Sequence, residues 1–211
     1  MIRRNKFIVF TMLLSIHFTS LFSQSLEEIE KVFPNLSGKE QVDTLLELYT
    51  DKPSFGRRTQ FAKFVHIIIG KPDATREYIL EKLKNTKPVP YQQSPCDFEI
   101  LITILEEARG KIQTYHFFES IEDYNNTVYE LYKEKMDEYL NAYKVIDIRY
   151  TMLLDYLCSI DNSKRHITTL EDLPALLEKL TSQGYEELTI NSDLIKSRKY
   201  YYDTYGWTFE D

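Results

Sequence analysis

Glycine is scarce in this chain of 211 residues, which contains only 6. Because folds rich in β-sheet use glycine at many of their turns, the scarcity favours a helical fold. The apolar run near the N-terminus covers ten residues, 7–16, whereas a membrane-spanning helix needs about 20. Hydrophobic residues make up 43% and charged residues 28% of the chain, a globular composition that excludes a disordered protein.

The motifs of the common enzyme classes are also missing. The sequence has no GxSxG nucleophile elbow, no glycine-rich phosphate-binding loop and no HExxH zinc motif. Beyond the N-terminal segment its histidines are His66, His116 and His166, which are too far apart in sequence to form a helical i, i+4 metal pair. We therefore predict no cofactor, and a protein that acts by binding is favoured over an enzyme.

The N-terminal segment has the three parts of a secretory signal peptide. The basic start MIRRNK precedes the apolar run, and a more polar exit with small residues follows it. We expect residues 1–23 to be the signal, with cleavage after Ser23 or Ser25, and residues 24–211 to form a single domain. The alternative is an uncleaved N-terminal anchor. The sequence thus predicts an exported protein, periplasmic or extracellular, with no membrane insertion after cleavage.

Net charge restricts the partners. The chain carries −7, and removal of the signal with Arg3, Arg4 and Lys6 would leave −10. Nucleic-acid binding needs a basic surface, and binding to an anionic membrane surface needs a basic amphipathic helix. The sequence shows neither, so we predict no nucleic-acid partner and expect a protein partner, with the oligomeric state left open.

Helix signals recur along the remaining chain and predict an all-α fold of about seven to nine helices. Ser37 with Glu40 fits a capping box, and glycines at 70 and 184 are candidate helix stops. The other candidate helix starts are Ser25, Ser54, Asp73, Ser94, Thr169 and Ser192. Residues 87–95 contain three prolines and predict a loop. No sequence signature is repeated along the chain. Two architectures therefore remain as alternatives, a compact bundle and a short α-solenoid of helical hairpins.

Three segments define the predicted architecture further. FEILITIL, residues 98–105, is apolar on nearly all sides, so we place this fifth helix at the centre of the fold. The longest helix is predicted from Ile121 to Lys144. VIDIRY, residues 145–150, alternates like a strand, but we interpret it as the start of the next helix because the residues that follow keep helical spacing.

Four residues are candidates for a hydrolase site: Glu99, His116, Glu119 and Glu122. Glu99 lies in the apolar fifth helix, where a carboxylate needs a partner or a raised pKa. If residues 111–120 are helical, the other three fall at i, i+3 and i+6 and could offer one nitrogen and two oxygens to a divalent metal. We prefer the alternative that all four are ordinary exposed charges, and we predict no metal site.

Adjacent carboxylates, such as Glu106 and Glu107, are interpreted as solvated surface. Neighbouring residues on a helix point in different directions, so they cannot face each other across a cleft as paired catalytic carboxylates do.

The two cysteines, Cys96 and Cys158, could form a disulfide in an oxidising compartment. Alternatively, Cys158 is a buried apolar side chain of its helix. With Ser94 as N-cap and Pro95 at the first helical position, Cys96 would be the second residue of the fifth helix. The helix dipole would there favour its thiolate.

Two groups of aromatic side chains are candidate binding surfaces. The first has helical spacing, which is more typical of a core, and consists of Tyr124, Tyr132, Tyr139, Tyr143 and Tyr150. The second closes the chain and consists of Tyr201, Tyr202, Tyr205 and Trp207. We expect Trp207 to fold back onto Tyr202 just after Gly206, as in a Schellman motif. The alternative is that this C-terminal group binds a partner.

These patterns together predict a small, acidic, exported all-α protein that binds another protein. One form of this hypothesis is an immunity or inhibitor protein that neutralises a basic toxic enzyme, since acidity would steer the two together. The hypothesis from another class is a hydrolase that uses Glu99, His116 and the two neighbouring glutamates.

Overall fold

The computed structural model describes residues 26–50, 58–90, 96–160 and 172–191. Within these ranges the chain forms nine α-helices, which are α1 (Leu26–Val32), α2 (Gly38–Tyr49), α3 (Arg58–Ile69), α4 (Pro72–Asn85), α5 (Asp97–Gly110), α6 (Ile112–Tyr115), α7 (Ile121–Tyr143), α8 (Ile148–Ile160) and α9 (Asp172–Ser182). A 3-10 turn (Phe33–Asn35) follows α1, and the two short strands are β1 (Val145–Ile146) and β2 (Thr189–Ile190). The predicted all-α fold is confirmed for this part of the chain. None of the described helices is long and apolar enough to cross a membrane.

Local side-chain signals set several helix ends. The Ser37 hydroxyl accepts the backbone N–H of Glu40 at 3.3 Å, and the Glu40 carboxylate accepts the N–H of Ser37 at 2.9 Å. The predicted capping box of α2 is therefore confirmed. The hydrogen bonds with Ser37 lower the pKa of the Glu40 carboxyl. At the other end of the chain, Gly184 follows α9 with φ of +97°, as expected for a glycine that ends a helix.

Two predicted helix starts are wrong. Helix α4 begins at Pro72 with Lys71 as N-cap, so Asp73 lies inside its first turn. Proline is well suited to that first position, because its missing N–H is not needed there. Helix α5 begins at Asp97, and Cys96 precedes it in extended backbone with φ of −136° and ψ of 164°. The candidate caps that lie outside the described residues are Ser25, Ser54, Ser94, Thr169 and Ser192.

The prediction that residues 145–150 begin a helix is wrong for the first two of them. These two form β1, which pairs in parallel with β2. Lys144 ends α7 in the left-handed conformation, with φ of 51°. The Asp147 carboxylate then accepts the backbone N–H groups of Arg149 at 2.9 Å and Tyr150 at 3.1 Å, which caps α8. The chain therefore interrupts helical structure between α7 and α8.

Helix α5 lies at the centre of the larger core, as predicted. Its buried side chains cover more than half of its circumference and comprise Phe98, Ile100, Leu101, Ile102, Ile104, Leu105 and Ala108. Helices α2, α3 and α4 contact it, because the broad apolar surface of α5 needs several neighbours to remove it from water. Helices α7 and α8 pack against each other as a pair.

The buried apolar side chains form two clusters. The larger joins α1 to α5 with the first half of α7 and part of α8. The smaller contains Tyr139, Leu140, Ile146, Tyr150 and Leu180, and it joins the end of α7 to α8, β1 and α9. Met136 of α7 packs against both clusters. The longest helix therefore connects the two parts of the core.

Gly38 marks a close approach of α2 to α4, and we expect Gly38→Ala to be destabilising. A Cβ atom at this position would lie 2.6 Å from the backbone oxygen of Ala74 and 2.8 Å from Cγ2 of Thr75. A backbone oxygen cannot rotate away, so the helices must separate, at a cost of about 1–3 kcal/mol in the free energy of unfolding. Urea denaturation measures this loss.

Gly110→Ala is the matched control for this experiment. Gly110 is the last residue of α5, and a Cβ atom there meets nothing within 4 Å. Alanine is the better helix former, so this variant should be neutral or more stable by up to about 1 kcal/mol. An equal loss of stability in both variants would contradict the close approach at Gly38.

Candidate functional site

The four residues considered for a hydrolase site do not lie together. Glu99 is in the first turn of α5, where its Oε2 accepts a hydrogen bond from Arg149 Nη2 at 3.2 Å. His116 ends α6 in the left-handed conformation, and Glu119 and Glu122 are exposed. Since α6 follows the far end of α5, most of that helix separates Glu99 from the other three, a rise of about 16 Å.

The helical face considered for a metal site is not formed either. Residues 116–120 separate α6 from α7, so His116 and Glu119 are not in a helix. In the described ranges no group of three His, Cys, Asp or Glu side chains is close enough to hold a metal ion.

Cys96 and Cys158 are both buried thiols and are not joined in a disulfide. Cys96 lies before α5, with its Sγ 3.7 Å from Nη2 of Arg149. Burial raises the pKa of the Cys96 thiol, because the loss of hydration outweighs the stabilisation of a thiolate by the helix start and by Arg149. The prediction that this thiolate is favoured is therefore wrong.

The stripe of tyrosines belongs mainly to the core. Tyr124, Tyr132, Tyr139 and Tyr150 are each 1% exposed or less, and burial raises the pKa of all four. Tyr143 is 39% exposed and stacks on Tyr139 with ring centroids 5.0 Å apart. The core interpretation thus fits four of the five. The C-terminal aromatic group lies outside the described residues and comprises Tyr201, Tyr202, Tyr205 and Trp207.

Glu106 is the centre of a polar network inside the helical core, so the expectation of a solvated side chain is wrong for it. Its side chain is 16% exposed. Its Oε1 accepts hydrogen bonds from the hydroxyls of Tyr124 and Tyr132, the latter at 3.1 Å. Its Oε2 accepts from Arg109 Nη1 at 3.3 Å, and the same nitrogen donates to Ser159 Oγ at 2.9 Å. The Glu106 carboxylate thus joins α5 to α7, and Arg109 extends the network to α8.

The hydrogen bonds of the Glu106 network are structural contacts. Burial and the nearby carboxylate raise the pKa of Tyr124 and Tyr132, so both hydroxyls stay neutral and donate. Both oxygens of Glu106 are used by groups of the protein itself. We therefore assign the network to stability and not to catalysis.

Glu107, the next residue, joins α5 to α3. Its Oε1 lies 2.9 Å from His66 Nε2, and the Tyr115 ring lies beside the imidazole with centroids 5.7 Å apart. The side chains of His66 and Glu107 are 37% and 39% exposed. The pair acts as a half-buried contact between these two helices.

An open pocket of about 270 Å³ lies where α2 and α4 end and α5 begins, and we name it the α5 pocket. Its polar walls come from Thr50, Thr86 and Asp97, and Lys87 stands exposed at its rim. The larger part of its surface is apolar, with Val89 and Cys96 among the residues that line it and Phe98 buried beneath them.

The polar groups of the α5 pocket are held by contacts between elements. Thr50 Oγ1 donates a hydrogen bond to Asp97 Oδ1 at 2.5 Å. Behind Cys96, the Arg149 guanidinium donates to Glu99 and, through Nε at 3.2 Å, to the backbone oxygen of Val89. Sequence reasoning missed Thr50 and Asp97, because they lie 47 positions apart and no local pattern connects them.

Comparison with known proteins found no matching family model, no matching curated protein and no matching solved structure.

We expect the replacement of one carboxylate oxygen of Glu106 by an amide nitrogen to lower the stability of the protein strongly. In Glu106→Gln, two buried tyrosine hydroxyls and Arg109 must share a single neutral acceptor oxygen, so we expect a loss of about 1–3 kcal/mol in the free energy of unfolding. Chemical denaturation with a fitted midpoint and slope measures it.

Glu107→Gln is the control, because it makes the same change at the next residue in a half-exposed contact. Its expected loss is below about 1 kcal/mol. If Glu106→Gln costs no more than Glu107→Gln, the network does not stabilise the core.

Proposed function

We propose that this protein is exported and acts by binding a protein partner, in the periplasm or outside the cell. The observation that carries the proposal is the α5 pocket. Its volume of about 270 Å³ falls below the roughly 300–1,000 Å³ typical of small-molecule sites. A pocket of this size suits one side chain of a partner. Protein interfaces draw most of their binding energy from a few side chains seated in such pockets.

The walls of the α5 pocket support the same proposal. Val89 and Cys96 offer apolar surface, and Thr50 with Asp97 offers a polar group in a fixed position. This mixture is suited to an anchoring side chain, because apolar contact supplies affinity and one oriented polar group supplies specificity. By contrast, Glu106 in the core uses both its oxygens internally.

The net charge favours a basic partner. The chain carries −7, or −10 without the basic signal segment, and such a charge accelerates encounters with a protein of opposite sign. An inhibitor or immunity protein for a basic enzyme is the form of the proposal that this charge supports. A hydrolase is less favoured, because the Glu99 carboxylate is bonded to Arg149.

Photo-cross-linking in the natural host tests the binding function. We expect a photoreactive amino acid at Lys87, on the rim of the α5 pocket, to give a light-dependent product with one protein. The same amino acid at Lys133, a 51% exposed side chain on α7, is the control and should not give that product.

The partner identified by cross-linking, once purified, must then bind the wild-type chain in solution. Isothermal titration calorimetry should show a complex with the wild-type chain, and Val89→Trp, which fills the α5 pocket, should weaken it by about tenfold or more. Identical products from both cross-linking positions, or undiminished binding by Val89→Trp, would contradict the proposal.

Export is tested by the intact mass of protein recovered outside the cytoplasm. We expect a chain that begins at Gln24 or Leu26, according to cleavage after Ser23 or Ser25. A control with Leu13→Arg and Leu14→Arg, which breaks the apolar run, should stay in the cytoplasm because signal recognition needs that run. Mass corresponding to a start at Met1 would refute cleavage, and wild-type protein confined to the cytoplasm would refute export.

A further inference from the structure

We infer that the α5 pocket recognises a lysine or arginine side chain of the partner, with Asp97 as its counter-ion, an assignment that rests on the binding function proposed above. A long aliphatic stem that ends in a positive charge matches the two kinds of surface in this pocket.

Asp97 supplies the charge. It lies in the first turn of α5, partly buried, and its Oδ1 accepts the hydrogen bond from Thr50. That bond holds the carboxylate at the pocket wall. Thr50 contributes no charge, so the negative charge of Asp97 is not neutralised by this contact. A positioned, partly desolvated carboxylate attracts a cation more strongly than an exposed one does.

The apolar walls supply contact for the stem. Val89 is half-buried at the pocket wall, and Cys96 beside it keeps 8% of its surface exposed. Lysine and arginine side chains lay their methylene groups along such surfaces while the charged end meets a polar group. The apolar contact distinguishes a lysine or arginine side chain from a small inorganic cation.

Among the described residues, two cations lie near the pocket, and neither opposes this assignment strongly. Lys87 is exposed at the rim, where solvent and salt screen its charge. Arg149 is 1% exposed behind Cys96, and its charge is balanced by Glu99, whose Oε2 lies 3.2 Å from Nη2. The net charge of −7 on the whole chain adds a long-range attraction for a basic partner.

The test uses n-butylammonium as the analogue of a lysine side chain, with 1-butanol and butyrate as neutral and anionic probes of the same length. In two-dimensional amide NMR spectra of the full chain, n-butylammonium should shift the signals of Asp97 and Phe98 saturably. We expect its binding to be about tenfold tighter than that of either other probe, since a hydrogen bond to a charged group is worth about that factor.

Asp97→Asn should weaken n-butylammonium binding by about tenfold and remove its preference over 1-butanol. Asparagine keeps the shape and an oxygen that can accept from Thr50, and an unchanged unfolding midpoint shows that the fold is kept. Asp73→Asn is the control, because Asp73 is an exposed aspartate in the first turn of α4. It should bind n-butylammonium as the wild type does.

Equal binding of the three probes to the wild-type protein, or a preference for butyrate, would overturn the inference. These measurements are independent of the cross-linking experiment. A cross-linked partner combined with no preference for n-butylammonium would leave the binding function standing and refute the basic anchor. A clear preference for n-butylammonium without a cross-linked partner would support the pocket chemistry and refute the partner.

Discussion

The burial of α5 is the constraint on which the described fold depends. A helix that is apolar over most of its surface gains free energy only where neighbours remove that surface from water. Burial of one leucine or isoleucine side chain contributes about 1.5–3 kcal/mol, and α5 buries several of them in succession. Helices α2, α3 and α4 therefore pack around it, and the Glu106 contacts bring α7 and α8 to it.

The acidic residues of α5 fix its orientation among the neighbouring helices. Each carboxylate meets a different element, in the pairs Asp97 with Thr50, Glu99 with Arg149, Glu106 with Tyr124 and Tyr132, and Glu107 with His66. Hydrophobic contact alone tolerates rotation and sliding of a helix, whereas hydrogen bonds require particular atoms to meet. We interpret the four contacts as the features that set the rotation of α5 relative to the helices around it.

Local patterns predicted those features that depend on neighbouring residues. The capping box of α2 is formed by residues three apart, and the central position of α5 follows from its largely apolar run. Features that join distant segments were missed. Strand β1 exists because a segment more than 40 residues later pairs with it. Glu106 and Glu107 do point in different directions, as expected, but which of them faces the core depends on tyrosines of another helix.

The location of the α5 pocket follows from the same constraint. Helices α2 and α4 end beside the first turn of α5, and this turn carries Asp97. Glu99 and Glu106 each contact an arginine, and Glu107 contacts a histidine. Asp97 differs from them because its partner, Thr50, is a neutral hydroxyl. Among the described residues, the contact at the α5 pocket is therefore the one of these four that pairs a carboxylate with no cation, and a basic side chain from outside the molecule can neutralise that charge.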